Sequence, residues 1–109
     1  MKFKVVILES AQNDLKELKC YIANNFSPEV WQTTYKALMG AIQSLKTFPQ
    51  AGFIPDELAS LHLNQYRQVV VGMNRIIYEL RHDGIYIHMF ADTRRDMKSY
   101  LVRRLLRIV

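Results

Sequence analysis

Residues 66–90 read YRQVVVGMNRIIYELRHDGIYIHMF. Three β-rich runs, Tyr66 to Val71, Asn74 to Leu80 and Ile85 to Phe90, are separated by Gly72, which permits a turn or bulge, and by His82-Asp83-Gly84, a strong hairpin signal. The stretch predicts three strands that follow one another in a sheet. At the N-terminus, residues 2–8 (KFKVVIL) set Lys2 and Lys4 against Phe3, Val5 and Ile7, the period-2 pattern of a strand with one buried face.

Between these strand regions the period changes. Ser10 is placed to cap a helix, and Ala11, Leu15, Leu18 and Ile22 form one stripe that fades near Asn24-Asn25. Ser27-Pro28-Glu29 is a second helix start, with a cap, a proline in the first turn and an acid where the helix dipole favours it. Trp31, Tyr35, Leu38, Ile42 and Leu45 continue that helix until Phe48-Pro49 stops it. Two amphipathic helices joined by about four residues fold back as a hairpin that buries its stripes against a sheet. Gly52, Pro55 and the polar run to Asn64 read as a connecting loop. From Arg94 to Val109, Met97, Leu101, Leu105 and Ile108 predict a terminal helix. The expectation is an α+β fold of order β-α-α-β-β-β-α, with the helical hairpin on a small, largely antiparallel sheet and a basic C-terminal helix.

With 109 residues, 50% of them apolar, the chain is sized for one domain spanning residues 1–109. Its net charge of +5 is concentrated at one end, where residues 92–109 hold six basic and two acidic side chains. Such an excess suits an anionic partner, whether nucleic acid or an acidic protein surface, and its plainer reading is a solvated helix face. Cys20 has no partner for an intrachain disulfide, sits near the first apolar stripe and reads as a buried structural thiol in a reducing compartment. The opening apolar stretch is too short for a signal peptide or a membrane span. No P-loop, GxGxxG, H-E-x-x-H or nucleophile elbow is present, which argues against nucleotide-cofactor and metalloenzyme chemistry, and no metal or cofactor is expected. His88, which alternates with Tyr86 and Phe90, reads as a packing residue, as do His62 and His82 as surface ones.

The informative polar set is Arg67, Arg75, Arg81, Arg94, Arg95 and Tyr100, because strands and helix starts hold side chains in fixed directions. Arg75, in an apolar strand, is expected on the sheet face opposite the helices. With Arg67 and Arg94 on that same face it would form a shallow cationic groove; otherwise these arginines pair with Glu79, Asp92 or Asp96.

In order and spacing, Ala11-x-x-Asp14-Leu15, Tyr21-Ile22, Leu45-x-x-Phe48-Pro49-x-x-Gly52, Tyr66-Arg67, Arg75-Ile76-Ile77-Tyr78-Glu79 and Arg94-Arg95-Asp96-Met97 resemble the RelE/ParE superfamily of type II toxin-antitoxin toxins. The full helical hairpin, the Phe48-Pro49-x-x-Gly52 stop and the Arg95-Asp96-Met97 ending are more similar to the ParE branch, which poisons DNA gyrase, blocks replication and stabilises plasmids. Val69 stands where the RelE pattern has a second strand lysine, and valine neither stabilises a phosphorane nor moves a proton. The alternative implied by the resemblance is a RelE-like, ribosome-dependent endoribonuclease that cleaves mRNA. In it Arg75 and Arg94 stabilise the charge on the scissile phosphate, Arg67 takes the place of the pattern's first lysine, and Tyr100 orients or deprotonates the 2′-hydroxyl, a role for which the tyrosine needs a cationic setting, such as Arg94 and Arg95, to lower its own pKa. Either branch implies a cytoplasmic hetero-oligomer with a cognate antitoxin that has a DNA-binding part and an acidic, apolar wrapping segment. Arg75, Arg94, Arg95, Lys98, Arg103, Arg104 and Arg107 are the candidate contacts for target or antitoxin.

Overall fold

A computed structural model describes residues 3–93 and 103–105. The elements run β1 (Lys4–Ile7), α1 (Glu9–Asn25), α2 (Pro28–Thr47), α3 (Asp56–Ala59), β2 (Tyr66–Val71), β3 (Asn74–Arg81) and β4 (Gly84–Asp92). The sheet order is β1-β4-β3-β2; β2, β3 and β4 are antiparallel neighbours and β1 lies parallel to β4. The mixed α+β architecture, a helical hairpin on a four-stranded sheet, is the expected one. The predicted terminal helix over Arg94 to Val109 lies largely outside the described residues, within which residues 103–105 are helical.

Strand alternation sorts the sheet into two faces. The inner face, under the helical hairpin, carries Ile76, Tyr78, Ile85, Ile87 and Phe90, which pack against Ala11, Leu38, Ile42 and Leu45. The outer face carries Tyr66, Ile77, Met89 and Ala91, covered by Leu58 of α3 and flanked by Leu63 and Leu105. Both helical stripes fulfil their pattern with one exception: Tyr35 is 41% exposed and rests beside Trp31, ring centroids 5.5 Å apart. Ser27 caps α2 as expected, its Oγ accepting the Val30 N–H at 3.1 Å, with Pro28 at the first helical position.

Three sequence expectations are corrected. Ser10 is not a cap: α1 begins at Glu9, Leu8 is the boundary residue, and no side chain caps the helix. Cys20 is exposed rather than buried, because it lies two residues from both Leu18 and Ile22 and so turns away from the stripe at about 100° per residue. The region from Gly52 to Asn64 is not loop throughout, since α3 forms where Pro55 precedes two acids, Asp56 and Glu57, in a first turn. Leu58 provides the reason: it is fully buried on the outer face and draws the segment across the sheet.

Candidate functional site

Cross-strand partners place each arginine. Arg75 faces Val70 and Ala91 on the outer side, whereas Arg67 faces Tyr78 on the inner side. The two therefore project from opposite faces, and the anticipated groove shared by Arg67 and Arg75 does not form. Arg67 instead donates from Nη1 to the Gly52 carbonyl at 2.9 Å, securing the loop after α2. Val69 is likewise an inner-face residue, packed against the helical core.

Arg75 does sit opposite the helices, as expected, but its acid is not Glu79 or Asp92. Its Nη1 lies 3.3 and 3.2 Å from the two carboxylate oxygens of Glu57 and 3.2 Å from Gln68 Oε1. One nitrogen thus shares three acceptors at distances longer than the roughly 2.8 Å of a well-formed charge-assisted bond. The turn-forming composition of residues 52–64 hides Glu57 in an expected loop, whereas Pro55-Asp56-Glu57 is the helix-start signal that places it.

Glu79 serves Arg81 and His88 together. Arg81 donates from Nε to Oε1 at 3.0 Å, its Nη2 forms an ion pair with the same oxygen at 2.9 Å, and its guanidinium stacks 4.0 Å from the Tyr86 ring centre. His88 approaches the same oxygen through Nε2 at 2.9 Å and meets the Tyr66 ring edge-on at 5.0 Å. The alternation of His88 with Tyr86 and Phe90 is broken by a bulge. Ile77 pairs with Met89 but Tyr78 pairs with Ile87, so His88 is the extra residue and its side chain turns to Glu79 on the outer face. At the sheet's end, Lys4 meets Asp83 at 3.2 Å and Tyr86 donates to Asp83 at 2.8 Å.

Burial lowers the His88 pKa, against the pull of Glu79, so the ring is neutral at pH 7. For Glu79, burial acts upward, but the hydrogen bonds from Arg81 and His88 outweigh it and hold the carboxyl below its ordinary value. The signs agree. Unfolded His88 takes up its proton near pH 6.5 while the folded ring resists, so its stability contribution is complete above that pH and declines below it. Glu79, with a depressed pKa, loses its contribution as pH falls through the carboxylate range. Denaturant titrations at pH 7.5, 6.5 and 5.5 should show little change over the first interval and a fall in stability over the second, and His88→Gln should flatten that fall; an unchanged slope between 6.5 and 5.5 would rule out His88 as its source.

Among the other candidates, Arg103 is exposed. Arg104 turns inward, donating to both oxygens of the buried Asp14 at 3.0 Å and to the His88 carbonyl at 3.0 Å. Arg94, Arg95, Lys98, Tyr100 and Arg107 lie outside the described residues. The described outer face is thus a row of matched charges, with Arg75 its most loosely held cation. Among the described residues no helix is long and apolar enough to cross a membrane.

Residues 5–97 match the family model described as the ParE toxin of the type II toxin-antitoxin system parDE. A comparison with curated proteins gives no match. Among solved structures the fold is similar to a chain of the chromosomal ParDE system from P. aeruginosa, at TM-score 0.69 and 13% identity, covering 84% of this chain and 96% of that one. It is also similar to a chain of the RelBE2 toxin-antitoxin complex from Mycobacterium tuberculosis, at TM-score 0.57 and 16% identity, covering 84% and 99%.

Proposed function

The chain belongs to the ParE toxin family of type II toxin-antitoxin systems, and from that premise we propose that it is a cytoplasmic, single-domain toxin that inhibits DNA gyrase and is neutralised by a cognate antitoxin. The observation that carries the reading is the match to the ParE model over residues 5–97. Two features of the sheet favour it over mRNA cleavage. A ribonuclease of the RelE pattern needs several cations converging on one phosphate, yet Arg67 and Arg75 diverge to opposite faces. The position that would supply another cation, Val69, is packed into the core beneath the helices. An antitoxin partner is supported by the two similar folds, both of which come from toxin-antitoxin systems. Its wrapping segment is acidic and apolar, to complement the basic residues 92–109.

The test is expression from a tightly controlled promoter with DNA synthesis, plasmid topology and translation followed in parallel. Growth should arrest with DNA synthesis failing first, cleaved DNA held on gyrase, and protein synthesis continuing at the outset. Loss of translation within minutes, ahead of any DNA defect, would overturn the gyrase reading in favour of mRNA cleavage.

A further inference from the structure

Arg75 is the least committed arginine of the described sheet. Arg67 has a 2.9 Å bond to a backbone carbonyl, and Arg81 has a 3.0 Å bond and a 2.9 Å ion-pair contact to Glu79 and a ring beneath it. Arg75 engages Glu57 and Gln68 through Nη1 alone, at 3.2–3.3 Å, and its Nε and Nη2 make no hydrogen bond to any described residue. Its side chain is only 16% exposed and that of Glu57 25%, so the pair sits in a partly dried setting where an anion is held more firmly than at an open surface. Val70, directly across the ladder from Arg75, and Met73, at the preceding turn, are each 51% exposed.

We infer that Glu57 is a place-holder: Arg75 and Gln68 form a carboxylate site that Glu57 fills loosely in the free protein and yields to a glutamate or aspartate from an acidic, apolar segment of a partner protein. The inference rests on the toxin-antitoxin reading for the identity of that partner, the antitoxin. The chemistry of the surroundings selects a peptide over a nucleic acid. A polyanion requires a field of unmatched cations, whereas here Arg81 is matched by Glu79 and Lys4 by Asp83, and His88 is neutral. A peptide with one carboxylate beside aliphatic side chains instead uses what is present: a two-pronged donor on Arg75, an amide on Gln68, and the apolar Val70 and Met73 alongside. Glu57 is suited to yielding. It stands on the four-residue α3, and its bonds to Arg75 are long. While seated it lowers affinity for stray anions and keeps the half-buried guanidinium from standing unpaired.

The experiment uses the purified full chain and a capped peptide, Glu-Leu-Glu-Val-Glu-Leu, with its Gln-for-Glu counterpart as control; affinity is read for every variant by isothermal titration calorimetry, and the Arg75 Nε–H resonance is followed by NMR in the chains that retain Arg75. Glu57→Gln and Glu57→Ala should each bind the acidic peptide about fivefold more tightly than the parent, the scale of one partly exposed ion pair. Arg75→Gln should lose at least about tenfold, and the Gln peptide should not move the resonance. Affinity unchanged in both Glu57 variants overturns the place-holder. A single-stranded oligonucleotide that shifts Arg75 at lower concentration than the peptide overturns the choice of partner. Because the readout is binding by the isolated protein, it stands apart from the growth assay: absence of growth arrest would count against the toxin reading and leave this result to be decided on its own.

Discussion

Gly52→Ala should destabilise the protein by about 3 kcal/mol, combining the cost of overpacking with that of disrupted buried hydrogen bonds. A Cβ on Gly52 would lie 2.6 Å from Tyr78 Oη, 2.7 Å from the Gln68 carbonyl oxygen and 2.8 Å from Tyr78 Cε1. None of these neighbours yields readily. Tyr78 is fully buried, its hydroxyl donates to the Pro49 carbonyl at 2.8 Å and accepts the Gly52 N–H at 3.0 Å. Gln68 is held by a two-bond bridge to Phe53, with N···O distances of 2.7 and 3.1 Å. Moving the loop away sacrifices those bonds and the Arg67 bond to the Gly52 carbonyl. For a domain of this size the loss corresponds to a melting temperature lower by roughly 12–20 °C. Gly40→Ala is the internal control. A Cβ there has nothing within 4 Å, the site is inside α2, and alanine should stabilise by about 0.5–1 kcal/mol. Equal, small effects of the two substitutions in urea denaturation would mean that the Gly52 loop relaxes freely.

The consequence reaches the outer face. Gln68 is the residue whose backbone the loop fixes and whose side-chain amide supports Arg75. A loop displaced at Gly52 therefore shifts one acceptor of the carboxylate site, even though Gly52 and Arg75 are on different elements.

What was legible in the sequence follows from which forces are local. Strand and helix stripes are set by side-chain period and burial, so residues 66–90 disclosed three strands, and Ser27-Pro28-Glu29 disclosed a helix start. The errors occur where a distant contact decides. Ser10 looks like a cap by type, but the chain leaving β1 has already turned helical at Glu9, and the Ser10 hydroxyl is left 3.4 Å from the His88 carbonyl. Whether His88 kept alternating could not be read from IYIHMF, because a bulge is a property of the paired strands, not of one of them. Arginine partners were hardest to foresee. Arg75 lies 18 residues from Glu57 along the chain, and Arg104 lies 90 from Asp14, so no spacing rule connects them. The quoted Ala11-x-x-Asp14-Leu15 and Phe48-Pro49-x-x-Gly52 strings acquire physical reasons only in the fold: one supplies a carboxylate to a strand edge, the other a glycine beneath a tyrosine hydroxyl.

Asp14→Ala should be comparably damaging, by about 3 kcal/mol, because it breaks a buried ion pair and orphans a backbone donor at once. β1 pairs with β4 from Gly84 to Ile87, and among the described residues no strand pairs with that edge of β4 beyond that point. Side chains take the strand's place. Asp14, 8% exposed on α1, accepts the Phe90 N–H at 3.1 Å, and Arg104 donates to Asp14 and to the His88 carbonyl. An unfilled edge is costly inside and a pairing hazard outside, which explains a charged residue on the core side of a helix. The expected readout has a global and a local part. Ile76 in the sheet centre, whose amide opens only by global unfolding, should exchange roughly 100-fold faster in Asp14→Ala, since about 1.4 kcal/mol corresponds to each factor of ten, and the Phe90 amide, which also loses its own acceptor, should quicken by at least as much. Asp14→Asn, which retains an acceptor for Phe90 but not the charge, should fall between parent and alanine. Arg104→Ala tests the other half, and the double variant should be less destabilised than the sum of the singles, because the pair is one interaction. Phe90 exchange at the parental rate in Asp14→Ala would show that the edge is protected by packing alone and that the carboxylate is dispensable.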